Sequence, residues 1–310
     1  MEQNTNLKID FAGLTLASPV ITVSGTCGYA DELAEFMDVS GLGAITTKSI
    51  SLEPRKGNPT PRIVETSSGM LNAIGLANMG LQRFQEEIIP VLRTLDTNIF
   101  VNLAGKTIDE YVKVAQSLAD SGAIDGFELN ISCPNVKKGG ITFGTDPKLI
   151  KEITAAVKEV CFEKPLMVKL TPTVTDISVT AAAAVEAGAD ALSLVNTFTA
   201  MAIDIQKRKP VLANRTGGLS GPAIKPIAVY LVNKVYNEVA RDAGIPILGM
   251  GGIRTVSDAL EFIIAGATAV GVGTATFVYP DTAKNIVDGL AAYCNSEGIS
   301  NITELVGSLR

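Results

Sequence analysis

Histidine is absent from all 310 residues. That excludes Ser-His-Asp and Cys-His catalysis and the common zinc sites. Proton transfer is left to Cys, Lys, Asp, Glu, Tyr or water. Tryptophan is absent too. The four cysteines, Cys27, Cys133, Cys161 and Cys294, stand far apart. No Cys-x-x-Cys pair is present to hold zinc or an iron–sulfur cluster, so no metal is expected on this chain. Sparse, unpaired cysteine fits a reducing cytoplasm. There is no basic stripe: the net charge is −6, and the short cluster Lys207-Arg208-Lys209 reads as a solvated loop, which argues against a nucleic-acid partner. The apolar runs are strand-length and too short to span a membrane. Residues 1–10 carry charges and no apolar stretch, so no signal peptide is expected there.

What is present is small and apolar. Hydrophobic residues make up 46% and charged residues 19%, a composition that suits buried parallel strands. Segments 7–11 and 14–16 flank Ala12-Gly13 and predict an N-terminal hairpin. A regular alternation follows. Strands are expected at 20–23, 44–47, 99–103, 126–131, 166–170, 191–195, 247–250 and 269–272. Helices are expected from 31, from 81, over 108–119, from 147, over 176–187, 225–243 and 256–265, and from 281. Thr107 and Asp146, the latter before Pro147, are expected helix caps. Two long excursions, 48–80 and 196–221, interrupt the rhythm. Eight βα units without a central linker predict one α/β domain over 1–310, a closed (β/α)8 TIM barrel with active-site loop insertions. A doubly wound open sheet is the alternative, but no G-x-G-x-x-G follows the first strand.

In such a barrel the chemistry collects at the carboxyl ends of the strands. The residues at those ends are Ser24, Lys48, Asn102, Asn130 with Cys133, Lys169, Asn196-Thr197, Gly251-Gly252 and Gly273-Thr274. The glycine pairs after strands seven and eight suit backbone N–H donation to a phosphate, or are plain turns. Gly217–Pro222 either closes over the same anion or is a flexible loop. Lys48 and Lys169, in or beside apolar strands, need an anion or electron-rich partner, or an ion pair with a buried acid. Asn72, Asn102, Asn130 and Asn196 offer paired donors and acceptors to a planar heterocycle; a capping role is the plainer alternative, above all for Asn72 in its loop. Cys133 sits where a strand gives way to a polar loop at Ser132, Pro134 and Gly139-Gly140. It is either a packed thiol or a reagent.

Longer motifs carry a resemblance. Asn130-Ile131-Ser132-Cys133-Pro134-Asn135 with Gly139-Gly140, Gly57-Asn58-Pro59-Thr60-Pro61-Arg62, Gly69-Met70-Leu71-Asn72-Ala73-Ile74-Gly75-Leu76, Leu212-Ala213-Asn214, Thr216-Gly217-Gly218-Leu219-Ser220-Gly221-Pro222 and Gly249-Met250-Gly251-Gly252-Ile253 resemble dihydroorotate dehydrogenases nearly end to end. The cysteine in the motif is similar to class 1 enzymes. The continuation Val136-Lys137-Lys138, with Phe143-Gly144-Thr145, looks like the class 1B catalytic subunit. The resemblance implies an FMN-containing barrel that oxidises dihydroorotate to orotate in pyrimidine biosynthesis. It implies Cys133 as the base that takes the C5 proton while hydride leaves C6 for the flavin. It implies substrate contacts from Lys48, Asn72, Asn130, Asn196, Thr197 and the backbone of Ala73, Ile74, Gly75 and Leu76. It implies FMN contacts from Ser24, Lys48, Ser49, Asn102, Asn130, Lys169, Val195, Gly221, Gly251, Gly252, Gly273 and Thr274.

The resemblance also implies a partner subunit carrying FAD and a [2Fe–2S] cluster that passes electrons to NAD+, in a heterotetramer built on a homodimer of barrels. The chain itself has neither the cysteine spacing for a cluster nor a dinucleotide fingerprint. Thr26-Cys27-Gly28 and residues 197–203 depart from the usual pattern, which bears on the electron acceptor. The rival expectations are a class 1A-like homodimer that uses fumarate, a flavin barrel acting on another pyrimidine as in dihydropyrimidine dehydrogenase, and a non-catalytic flavin-barrel binding subunit.

Overall fold

A computed structural model describes residues 6–132, 137, 138, 141–161 and 163–310. Eight parallel strands close on themselves: β1 (Val20–Thr22), β2 (Ala44–Thr46), β3 (Asn98–Leu103), β4 (Gly126–Asn130), β5 (Leu166–Lys169), β6 (Ala191–Leu194), β7 (Ile247–Met250) and β8 (Ala269–Val272). Each pairs with the next in sequence, and β8 pairs with β1 through Gly271 opposite Ile21. Barrel strands are buried on both faces, inside against the packed lumen and outside against helices. This explains why they read as short apolar runs rather than alternations.

The helices between them are α1 (Asp31–Ala34), α2 over 81–92 with a π-helical turn at Phe84–Ile88, α3 (Ile108–Ala119), α4 (Pro147–Val160) and α5 (Ile177–Glu186). They continue with α6 over 225–243, which has a second π-helical turn at Tyr236–Ala240, then α7 (Val256–Ala265) and α8 (Thr282–Glu297). Their starts follow from local chemistry. Thr107 accepts from Glu110 N at 3.2 Å, and Asp146 accepts from Lys148 N at 2.9 Å with Pro147 at the first helical position. Thr255 and Asp258 form a reciprocal capping box. The expected helix from 31 is much shorter than a barrel helix normally is. Asp38 accepts from Ser40 N at 3.0 Å, and this turn chemistry takes over from the helix.

The N-terminal hairpin, Ile9–Phe11 against Leu14–Leu16, lies at the amino end of the barrel. There Asn98, the first residue of β3, donates to Thr15 O at 3.4 Å, and Phe11 packs edge-on against Phe100. The opposite end is left for the loops.

The two excursions are more than loops. Ile63–Thr66 and Gly69–Asn72 form a hairpin. Its second strand pairs with Gly217–Ser220, which in turn pairs with Phe198–Ala200. Segments that follow β2 and β6 thus share one antiparallel sheet, with its own small core of Leu71, Ala73 and Leu212. Asn72 therefore sits in a strand, opposite Gly218, and not in a loop. Gly218 is required at that crossing: a Cβ there would stand 2.0 Å from Thr197 Oγ1.

Candidate active site

Polar side chains crowd the carboxyl end of the barrel interior. Successive residues of a strand alternate faces, so Glu128 and Asn130 on β4 share the face that looks into the barrel. Glu128 lies opposite Asn102 on one side and Met167 on the other, and Asn130 lies opposite Lys169. Glu128 is fully buried and is the centre of a network. Asn102 Nδ2 donates to its Oε2, Ser193 Oγ donates to Oε1 at 2.8 Å, and Lys169 Nζ stands 3.3 Å from Oε2. Lys169 Nζ also donates to Ser24 Oγ at 3.3 Å, Asn102 Nδ2 donates to the same oxygen at 3.2 Å, and Ser49 Oγ donates to Asn102 Oδ1. So Ser24, Ser49, Asn102 and Lys169 do come together, around an acid. Of the two sequence-level alternatives for Lys169, the structure displays the ion pair with a buried carboxylate; its ammonium has one further N–H without an acceptor among the described residues.

Glu128 was missed because β4 reads as an apolar strand. The signal was its period-two spacing from Asn130. Ser193, on β6 beside Lys169, was missed for the same reason.

Lys48 differs. It is half-buried at the end of β2, its backbone N–H bonded to Gly28 O at 2.8 Å. Among the described residues its ammonium has no hydrogen-bond or ion-pair partner. Asn130 is buried, with its carbonyl held by the Tyr111 hydroxyl at 2.8 Å, while its Oδ1 has no partner among the described residues. An acceptor left unmet in a buried site calls for a ligand donor or water.

The loops after β6, β7 and β8 meet. Gly252 has φ +84°, and a Cβ there would stand 2.7 Å from Gly221 O, so backbone abuts backbone. Thr274 Oγ1 donates to Ser220 Oγ at 2.8 Å. The N–H groups of Gly251, Gly252 and Gly273 find no acceptor among the described residues. Over the mouth, Asn72 Nδ2 donates to Gly218 O at 3.4 Å, and Asn196 Oδ1 accepts from Thr197 N at 2.8 Å. Val195 is pinned by its N–H to Met250 O at 3.0 Å.

The turn 73–76 is shaped by two asparagines. Asn58 binds the carbonyls of Ala73 and Ile74 at 3.0 Å each, and Asn78 Nδ2 donates to Leu76 O at 2.8 Å. The N–H groups of Ile74, Gly75 and Leu76 stay without acceptors among the described residues. A cavity of about 500 Å³ opens beside this turn-rich end, between the loops after β5 and β6, lined by Pro172–Thr175 and by Phe198 and Thr199. It contains none of the residues expected to touch substrate or FMN, but Phe198 and Thr199 belong to the segment 197–203 that departs from the family pattern.

Cys133 lies outside the described residues, as do Pro134, Asn135, Gly139 and Gly140. The other three thiols are buried. Cys27 donates to Thr46 O at 3.2 Å, and burial pushes its thiol up to about 12. Burial likewise pushes Cys161 up to about 12 and raises Cys294. None of the three is a thiolate at neutral pH, so they pack as small apolar residues.

The sequence profile described as "Dihydroorotate dehydrogenase" matches residues 6–293. The chain belongs to the dihydroorotate dehydrogenase family. Two relatives, from Geotalea uraniireducens (strain Rf4) and Geobacter sulfurreducens (strain ATCC 51573 / DSM 12127 / PCA), are named "Dihydroorotate dehydrogenase B (NAD(+)), catalytic subunit". The first is 53% identical over 304 residues and covers 98% of each chain. The second is 52% identical over 307 residues and covers 99% of each. Among solved structures, the dihydroorotate dehydrogenase of Eimeria tenella, in complex with ferulenol, superposes with a TM-score of 0.80 at 26% identity. The match covers 98% of this chain and 88% of that one.

Dihydroorotate dehydrogenases are flavin enzymes, and the mouth described here fits FMN. The paired glycine loops carry N–H groups without an acceptor among the described residues, which suit a phosphate, Gly252 leaves no room for a side chain, and Asn130 Oδ1, likewise unmet among the described residues, faces the same mouth. Among the described residues, no helix is long and apolar enough to cross a membrane and no cluster of metal-binding side chains forms.

Proposed function

We propose that this chain is the catalytic subunit of an NAD+-linked dihydroorotate dehydrogenase, working in the cytoplasm. It would oxidise dihydroorotate to orotate. The observation that carries this is the end-to-end likeness, at 53% identity, to chains bearing that name, together with a barrel mouth whose unmet polar groups suit the chemistry. FMN, when bound, would supply the acceptor for the hydride that leaves C6 and the means to pass its electrons onward.

The chain's own residues would do the rest. Gly221, Gly251, Gly252, Gly273 and Thr274 would hold the phosphate end. Ser24, Ser49, Asn102, Lys169 and Val195 would line the ring, and Asn130 would stand between ring and substrate. Lys48, whose ammonium has no described partner, would answer the charge of the anionic substrate or flavin edge. Asn72, Asn196, Thr197 and the N–H groups of the turn Ala73-Ile74-Gly75-Leu76 would fix the pyrimidine ring and its carboxylate. Cys133, assigned from its motif, would take the C5 proton. A thiol near 8.5 in water needs only modest help to act as a base near neutral pH.

The relatives' description as catalytic subunits supports a second chain as partner. That partner would carry FAD and a [2Fe–2S] cluster, two of each chain forming a heterotetramer on a homodimer of barrels. The test is steady-state oxidation of dihydroorotate with NAD+ or fumarate as acceptor, with and without a cluster-bearing partner. NAD+ reduction that requires the partner is expected. Turnover with fumarate by the chain alone would instead mark the homodimeric, fumarate-dependent alternative.

A further inference from the structure

The motif at 57–62 has no role among the substrate and cofactor contacts, yet it locks onto the turn 73–76. Asn58 Nδ2 donates to Ala73 O and Asn58 N donates to Ile74 O, each at 3.0 Å. The fit needs glycine on both sides. A Cβ on Gly57 would collide with Ile74 O, and one on Gly75 would stand 2.7 Å from Asn58 N. Asn78 holds the far end of the turn, its Nδ2 donating to Leu76 O at 2.8 Å. The same amide donates to Ser51 Oγ at 2.8 Å and accepts from Ser51 N at 3.3 Å and Gly80 N at 2.9 Å. Asn78 thereby ties the turn to the segment that follows Lys48.

The peptide bonds of the turn are trans, so each C=O points opposite to the N–H that follows it. Carbonyls drawn to the two asparagines therefore turn the N–H groups of Ile74, Gly75 and Ala77 the other way. None of the three has an acceptor among the described residues. The backbone is strained here, with Gly75 at φ +74° and Leu76 at φ +56°. A leucine in the left-handed region persists only where its surroundings hold it, and such outliers gather at ligand sites. Successive N–H groups on a turn of this kind make a concave seat for an anion. We infer that Asn58 and Asn78 are positioning residues: they grip the turn by its carbonyls so that its N–H groups form a carboxylate seat, in one frame with the Lys48 ammonium. This rests on the proposed function, in which the carboxylate is that of dihydroorotate or orotate. Both asparagines act through the turn and not on the substrate.

The test reads the turn and the ligand separately. Ile74-Gly75 is the only Ile-Gly step in the chain. Carbonyl-labelled isoleucine combined with nitrogen-labelled glycine therefore gives one NMR cross-peak, that of Gly75 N–H. In the full chain without substrate, Asn58→Ala and Asn78→Ala are each expected to move this peak towards its position in the urea-unfolded chain. A peak unmoved in either folded variant would overturn the inference. Asn58 is half-buried, so Asn58→Ala carries the test if Asn78→Ala does not fold. Orotate should move the parent's peak as well. A peak that ignores orotate while the flavin spectrum reports its binding would contradict the seat.

Anaerobic stopped-flow bleaching of the FMN-loaded chain is the second readout. Shaping a carboxylate seat adds to ground-state and transition-state binding alike. Each variant should therefore need roughly tenfold more dihydroorotate for its half-maximal rate, with FMN content unchanged and the saturating rate within about threefold of the parent. An unchanged half-saturating concentration contradicts the inference. So does a loss of FMN, or a saturating rate that falls in the same proportion, since either marks a general loosening of the site. If the Gly75 peak moves as expected but dihydroorotate does not bleach the parent chain, the clamp on the turn stands and the proposed function falls.

Discussion

Lys48 and Lys169 are two ammonium groups at one mouth in opposite circumstances. Lys169 is compensated by Glu128, whereas Lys48 has no described counter-charge. The unbalanced charge offered to an anionic ligand is therefore that of Lys48. A hydrogen bond to a charged group contributes about 1.5–3 kcal/mol. Lys48→Ala is thus expected to weaken orotate binding by roughly 10- to 100-fold, by titration of the flavin spectrum. An unchanged affinity would remove Lys48 from the substrate site. Cys133→Ala should leave FMN content intact and lower turnover by roughly 10²–10⁴-fold, the usual contribution of a positioned base. Unchanged turnover in a stopped-flow assay would sink that assignment. At this scale the sequence was informative wherever a polar residue broke an apolar strand at its carboxyl end, as at Asn102 and Lys169. It was silent on Glu128, because pairing across strands, and not spacing along one, gives that side chain its partners.

Elements were legible where local chemistry sets them. The bounds of α3 and α7 and of β7 and β8 follow directly from caps, glycines and apolar periodicity. The two excursions were not, since their strands find partners across the molecule: Asn72 meets Gly218 over 146 positions of chain. No local pattern reports such a pairing, and glycine-rich strands carry little propensity of their own. The joint sheet makes a prediction of its own. In Gly218→Ala the added methyl collides with Thr197, and overpacking of this kind costs about 1–3 kcal/mol. The excursions should then be cut faster in limited proteolysis while the barrel keeps its far-UV circular dichroism. An unchanged cleavage rate would mean that the sheet tolerates the methyl.

Across the whole molecule the barrel is held by burial, and the buried thiols report on it. Cys27 and Cys161 ionise near 9.0 in the open chain and near 12 when folded, because burial disfavours the thiolate. A folded value above the unfolded one means that their contribution to stability is complete below pH 9 and is lost as pH rises from 9 towards 12. Urea midpoints should fall more steeply above pH 9 in the parent than in a Cys27→Ala, Cys161→Ala variant; parallel curves would contradict the burial of these thiols. In a barrel of this kind the carboxyl ends of the strands are where the family's chemistry is expected.

The most direct measurement is anaerobic mixing of the FMN-loaded chain with dihydroorotate while the yellow flavin band is followed. Rapid bleaching, with orotate formed in proportion to flavin, is the expected result. A band that persists at saturating dihydroorotate would leave a flavin barrel without this substrate and would contradict the proposed function.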